Sequence, residues 1–435
     1  MTNVLETSGK KLIVAQLGAR KHYQEPLLFH RWGILDKFYT DFYSGHSFVA
    51  NLLRYSSIYN RLPSFLKKSL DRYDPGLKNA KIIHFPKFGY QYVQSLKKAS
   101  PEQASQIFVS GGQEFCQRIL QRGLGKADTI YGFNSACLEL FEYAKHKGIR
   151  CILDQTLADY SLVHQLLLSE EERWQEWSLT PFTVSKADLA LMQREHREQD
   201  LADYIICGSD FVKDSLIARG VDANKVRVVP LGRLKDEKPI ESKPTIQTPQ
   251  ERGGGLRILF IGSVGLRKGI PYLLEALRLI KGKIPFTCQI AGALEIKPER
   301  INEYSDVCNF LGRIPRSQVK DLYNWADVFV LPSICEGSAM VTYEALSVGL
   351  PIITTYNSGS IIRDGIDGFI VPSRNVEAIA DRLVNIYVSG INLKGEVSNQ
   401  EYLQSTLRYS ENTLRQIIMG DVEAKSNNIN FIANA

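Results

Sequence analysis

At 435 residues the chain is longer than one hydrophobic core usually organises, which predicts two domains of roughly 200 residues each. Its 44% hydrophobic and 23% charged composition is that of a folded globular protein and argues against long disorder. The net charge of +6 is spread along the chain with no dense basic tract, which argues against a nucleic-acid binder.

Residues 1–10 are polar and lack the apolar core of a signal peptide, and the first hydrophobic stretch, 11–17, is too short to span a bilayer. The expected location is cytoplasmic, at most peripheral at the inner face of a membrane. The 11–17 run reads as a buried strand that ends on Gly18 in a strand-to-helix turn. Arg20, His22 and Tyr23 follow, either near a ligand or as ordinary surface residues of a helix start. Between 54 and 98 the basic residues Arg54, Arg61, Lys67, Lys68, Arg72, Lys78, Lys81, Lys87, Lys97 and Lys98 outnumber Asp71 and Asp74, with Tyr55, Tyr59, Phe65 and Leu66 interleaved. Two readings are open there: contact with anionic lipid or a phosphorylated acceptor, and an exposed, solvated helical face.

Further short apolar runs at 129–132, 150–154, 204–207 and 226–229 alternate with amphipathic stretches, the order of a parallel α/β sheet. The seven cysteines are odd in number, scattered, and mostly set in apolar runs; they read as buried thiols in a reducing compartment. No C-x-x-C or H-x-x-x-H spacing occurs, so neither a metal nor a cofactor is expected.

Periodicity breaks at 236–255, where polar residues and three glycines (Gly253, Gly254, Gly255) suggest a linker. Apolar runs restart at 256–262 and continue at 286–292, 328–332, 351–354 and 368–372, which predicts a second doubly wound domain over 256–400 after a first over 1–235. Residues 401–435 read as a helix to about Met419 followed by a polar tail.

Two turns of the second half carry chemistry. After the 256–262 strand come Gly262, Ser263, Val264, Gly265, Leu266, Arg267, Lys268 and Gly269, then a helix with Pro271 near its start. A strand, a glycine turn and a helix N-terminus make an anion pocket, and Arg267 and Lys268 add the cations that a departing diphosphate needs; the alternative is a plain turn with two solvated cations. After the 328–332 strand, Glu336 and Glu344 stand eight positions apart, with the helix expected to begin near Ser338 or Ala339. Open amides there suit a ligand oxygen, and two carboxylates suit the hydroxyls of two sugars; alternatively Glu336 favours the helix dipole and Glu344 is solvated.

These turns lie in a stretch, about 258–372, that closely resembles the family-four retaining glycosyltransferases. The matches are Arg267-Lys268-Gly269, Phe310-Leu311-Gly312-Arg313-Ile314-Pro315, Trp325-Ala326-Asp327-Val328, the Glu336/Glu344 pair, and Asp364-Gly365-Ile366-Asp367-Gly368-Phe369. The resemblance implies a GT-B architecture, two Rossmann-like parallel-sheet domains facing a cleft, with the nucleotide-sugar donor in the second and the acceptor, a carbohydrate or lipid-linked sugar, in the first. It implies that Arg267 and Lys268 bind the donor diphosphate, that Glu336 and the amides of Ser338, Ala339, Met340 and Val341 hold the sugar, and that Glu344 holds the ribose. Gly262 and Ser263, the Arg313 and Ile314 turn beside the base, and Gly18 complete the expected donor site, and the tail helix is expected to cross back to the first domain. UDP- or GDP-sugars are the expected donors, with transfer to an acceptor hydroxyl in polysaccharide, glycolipid or other glycoconjugate synthesis. A catalytically silent partner subunit, and an epimerase or phosphorylase on the same fold, are the competing readings. The chain departs from common family residues at Ser263 (often arginine), at Asp154-Gln155-Thr156 (often containing histidine, with His164 further on here) and at Ser338-Ala339-Met340.

Overall fold

The computed structural model describes residues 9–56, 58–230, 254–389 and 399–420. Most of the expected linker and the polar tail lie outside the described residues. Seven strands form one sheet: β1 (Leu12–Gln16), β2 (Leu35–Thr40), β3 (Ile82–His84), β4 (Thr129–Phe133), β5 (Arg150–Gln155), β6 (Tyr204–Cys207) and β7 (Val226–Val228), in the order β3-β2-β1-β4-β5-β6-β7. Six form the other: β8 (Leu256–Ile261), β9 (Phe286–Ala291), β10 (Asn309–Gly312), β11 (Val328–Leu331), β12 (Ile352–Thr355) and β13 (Gly368–Val371), in the order β10-β9-β8-β11-β12-β13.

Both sheets are doubly wound, and their pairing is parallel, with Val14 opposite Phe38 and Tyr131 in the first and Phe329 opposite Leu259 and Ile352 in the second. Strands β1, β4, β11 and β12 are buried along their whole length because helices cover both faces, which is why their sequences are mostly apolar. In each sheet the winding reverses beside the first strand, between β1 and β4 and between β8 and β11. Loops at the carboxyl ends of such strand pairs diverge, and the gap between them is where this class of sheet accepts ligands.

The chain divides into two compact units. One runs to Thr156 and adds Val184–Ile206 and Val221–Arg227; the other comprises Leu157–Thr183, Cys207–Gly220 and the chain from Val228 onward. The Leu157–Thr183 stretch is tied to its unit by several bonds. Leu179 N–H donates to the Glu295 carbonyl (2.9 Å) and Lys297 N–H to that of Trp177 (2.8 Å). In the helix Tyr160–Arg173, fully buried Glu170 accepts from the Tyr272 hydroxyl (2.8 Å) and pairs with Arg374 (2.6 Å).

The 54–98 segment is not one helical face. It holds the end of the helix Phe48–Arg54, the helix Ser64–Leu70, strand β3 and the helix Pro86–Lys98, joined by short turns. The tail helix spans Asn399–Met419; near its start the Tyr402 hydroxyl donates to the Ile361 carbonyl (2.7 Å) and Leu403 joins the core of the second unit. All seven cysteines are buried free thiols.

Candidate active site

The site of the second unit is assembled by three glycines at the ends of neighbouring strands. Gly292, after β9, donates its N–H to the Gly312 carbonyl at the end of β10 (2.8 Å), and a Cβ on it would fall on the carbonyl oxygen of Gly262, after β8. That lack of a side chain lets the β8 and β9 loops touch backbone to backbone. Val264 N–H then donates to the Ala293 carbonyl (2.7 Å), and a short 3-10 turn, Leu266–Lys268, delivers the two cations. Gly269 closes the turn with φ 68°, and a Cβ there would fall on the Pro332 carbonyl oxygen. The helix Ile270–Ile280 starts directly after it.

The loop after β11 is pinned from both sides. Ile334 N–H donates to the Arg267 carbonyl (2.9 Å), while Glu336 N–H donates to the Asn357 carbonyl (2.9 Å) and Ala339 N–H to that of Ser358 (3.1 Å). Asn357 Nδ2 donates to the Ile334 carbonyl (2.7 Å) and the Ser209 hydroxyl to that of Gly337 (2.5 Å). Beside this loop Cys335 packs among Ala158, Val163 and Phe211, where burial pushes its thiol up to about 12. It is a neutral spacer, with none of the thiolate character of a nucleophile.

So held, Glu336 Oε1 lies 2.7 Å from Lys268 Nζ and 3.2 Å from Arg267 Nη1. Two cations share one carboxylate, which leaves the cluster with a positive excess. Lys268 is only 8% exposed; burial pulls its ammonium below the usual range, Glu336 pulls it back up, and Arg267 repels it. A second anion brought to this cluster would relieve both the repulsion and the desolvation.

The helix that follows begins at Met340, two residues later than Ser338, with Ala339 as its cap. Met340 and Val341 therefore stand in the first turn, where amides have no acceptor within the helix. The Ser338 hydroxyl is 3.1 Å from that of Tyr343. Glu344, further along the same helix, accepts from the Tyr323 hydroxyl (3.1 Å), which also donates to the Val341 carbonyl (3.1 Å). The structure thus brings Arg267, Lys268 and Glu336 onto one oxygen and gives Glu344 a different partner. Ser263 follows Gly262, and Arg313 and Ile314 follow Gly312, so both segments flank Gly292.

Gly18 belongs to the first unit, at the end of β1, with φ 89° and its N–H donating to Asp41 Oδ1 (2.9 Å). Three successive residues, Lys21, His22 and Tyr23, adopt left-handed backbone with φ of 46°, 50° and 64°. Lys21 carries no motif in the sequence, yet its ammonium enters the protein, 2.6 Å from Asp154 and 3.1 Å from Glu25, while the Tyr131 hydroxyl donates to the same Asp154 oxygen (2.6 Å). Arg20 turns to Asn134 Oδ1 (3.0 Å), which also accepts from the Thr156 hydroxyl (2.8 Å). No pattern in the sequence links positions 21 and 154. The left-handed turn that aims Lys21 inward is what joins them.

Known proteins resemble the chain in part of its sequence and in its fold. Residues 255–388 match the family described as glycosyl transferases group 1. The amylovoran biosynthesis glycosyltransferase AmsK of Erwinia amylovora is 27% identical over 185 residues, 39% of this chain and 44% of that protein. Across four curated relatives the chain spans 33% to 48% of their length. Sucrose-phosphate synthase of Thermosynechococcus elongatus superposes with a TM-score of 0.59 at 15% identity, over 94% of this chain and 98% of that one. The Anabaena protein HepE in complex with UDP-glucose does so with a TM-score of 0.51 at 13% identity, over 95% and 99%. Residues 255–388 are thus similar to the group 1 glycosyltransferases, and the chain has the GT-B fold.

Proposed function

We propose that the chain is a retaining glycosyltransferase that moves a sugar from a nucleotide-sugar donor, a UDP- or GDP-sugar, to an acceptor hydroxyl in polysaccharide, glycolipid or other glycoconjugate synthesis. The observation that carries this reading is the sharing of one Glu336 oxygen by Lys268 and Arg267, beside the first turn of the Met340–Ser347 helix and at the point where the sheet winding reverses. In this reading the donor is held by the 256–400 region and the acceptor by the first unit. The diphosphate rests against Arg267 and Lys268, with Gly262 and Ser263 beside it; Glu336 and the amides from Ser338 to Val341 hold the sugar, Glu344 the ribose, and the Arg313–Ile314 turn the base.

Chemistry then follows from charge. As the bond to the anomeric carbon breaks, negative charge grows on the leaving phosphate, and the two fixed cations stabilise it more than they stabilise the ground state. No side chain is assigned as a nucleophile on the sugar. The acceptor hydroxyl attacks from the face that the phosphate leaves, and a phosphate oxygen takes its proton, which accounts for retention.

The test is transfer itself. The purified chain is incubated with labelled UDP-, GDP- and ADP-sugars, UDP-glucose first, with and without carbohydrate and lipid-linked acceptors. Acceptor-dependent release of nucleotide, with label in the acceptor, is the expected result. A protein that binds a donor but transfers only after a second subunit is added is the silent partner, a reading that Ser263 in place of the usual arginine supports. Epimerised donor would make the chain an epimerase, and sugar phosphate formed from a glycan and phosphate would make it a phosphorylase.

A further inference from the structure

The helix Phe48–Arg54 is inside out. Its polar side chains face the protein: Asn51 Nδ2 donates to the Gly45 carbonyl (3.1 Å), and Arg54 Nη2 donates to the Ser44 hydroxyl (2.7 Å) and the Leu70 carbonyl (2.7 Å), with its guanidinium 4.0 Å from the Tyr73 ring centre. Three of its apolar side chains face outward. Phe48 is 81% exposed, Val49 62% and Leu52 64%, and just beyond the helix Tyr55 is 75% and Ile58 54% exposed. Positions 48, 52 and 55 fall in one row at helical spacing, so these side chains form a continuous patch. Water penalises such a patch, and soluble proteins keep contiguous ones for a partner.

Charge identifies the partner. No aspartate or glutamate occurs from 42 to 70, while Arg54, Arg61, Lys67 and Lys68 do. Arg54 is committed to the Ser44 and Leu70 bonds, but Arg61 and Lys68 are exposed. The Ser64–Leu70 helix that carries both lysines packs against the inside-out helix, which puts the lysine-bearing element beside the apolar one. A second copy of this chain would bring the same cations against themselves. An anionic bilayer offers both counterparts at once, acyl chains for the row and phosphates for the cations. No helix among the described residues is long and apolar enough to cross a membrane, so contact through this patch is of the surface kind.

We propose that Phe48, Val49, Leu52, Tyr55 and Ile58 insert at the headgroup boundary of an anionic membrane, with Arg61, Lys67 and Lys68 against its phosphates. This docking is independent of sugar transfer: a protein that floats but transfers nothing refutes only the transferase reading, and one that transfers but does not float refutes only this one.

The experiment is flotation of the full chain with phosphatidylcholine vesicles, and with vesicles in which about a third of the lipid is phosphatidylglycerol. The wild type is expected to float with the anionic vesicles, less so at high salt, and the double variant Phe48→Ser/Leu52→Ser to lose about tenfold or more of that binding. Lys67→Glu/Lys68→Glu is expected to lose the preference for anionic lipid. An unchanged melting temperature shows that each variant is folded. Failure of the wild type to float with either vesicle overturns the proposal, as does equal flotation of a folded Phe48→Ser/Leu52→Ser variant. Sedimentation velocity showing a dimer that this variant dissolves, without flotation, assigns the face to a second copy and overturns it as well.

Discussion

Lys268 keeps its ammonium in a place where burial works against the charge, and it does so because Glu336 lies 2.7 Å away. In the proposed transfer, a group held at that cost would stabilise the anion that develops as the sugar leaves. Lys268→Ala is therefore expected to lower kcat about 10²- to 10³-fold while the donor KM changes much less, read by steady-state transfer kinetics. An unchanged kcat would remove the cations from the chemistry. Glu198 poses a separate question of stability. It is fully buried, and burial pushes its carboxyl up to about 7, opposed by Arg194 and by the N–H groups of Cys137 and Ser135 that it accepts. With a folded pKa raised from 4.5 to about 7, the folded state keeps a proton that the unfolded state has lost, so this group's contribution falls as pH rises through that window. Relative to Glu198→Gln, the wild type is expected to lose on the order of 1 kcal/mol between about pH 6 and about pH 8, measured by denaturant unfolding. Arg267 and Lys268 were legible in sequence because they follow a strand end and a glycine turn, and Glu336 because it follows a strand end and stands eight positions before a second glutamate. Lys21 was not, since its role depends on a backbone turn that no periodicity encodes.

Among elements, the junction of the cation turn with the β11 loop is the tightest. Gly269 stands at φ 68° and leaves no space for a methyl group against the Pro332 carbonyl. Gly269→Ala is expected to cost on the order of 3 kcal/mol of stability and to part the Arg267–Lys268 turn from Glu336, seen as a lower melting temperature and weaker nucleotide binding. Central strands announced themselves in the sequence because burial on both faces demands mostly apolar runs. Strands β2, β3 and β10 did not: β2 carries Asp36 and Lys37, β3 has three residues, and β10 is an edge strand with no fully buried residue. The basic 54–98 segment left two readings open for a related reason. Composition reports how many charges a stretch carries, whereas the inside-out orientation of the Phe48–Arg54 helix depends on where Ser44 and the Leu70 carbonyl lie.

For the whole molecule, the proposed function assigns the donor to the second unit alone. A nucleotide sugar that binds the folded second unit stabilises it by mass action, by about 2.7 kcal/mol at a hundredfold excess over Kd. Hydrogen exchange with saturating donor is expected to slow at amides 262–269 and 336–341 and to stay unchanged in the Pro101–Arg122 helix of the first unit. Slowing confined to the first unit would place the donor elsewhere. The sequence by itself determined two doubly wound parallel sheets and the two charged turns of the second, because strand burial and glycine turns are local demands written in residue order. Only the tertiary structure decided that residues 157–183 pack with the second sheet, that Lys21 meets Asp154, and that an apolar helix face points to solvent, because each depends on groups distant in sequence meeting through backbone geometry and side-chain hydrogen bonds.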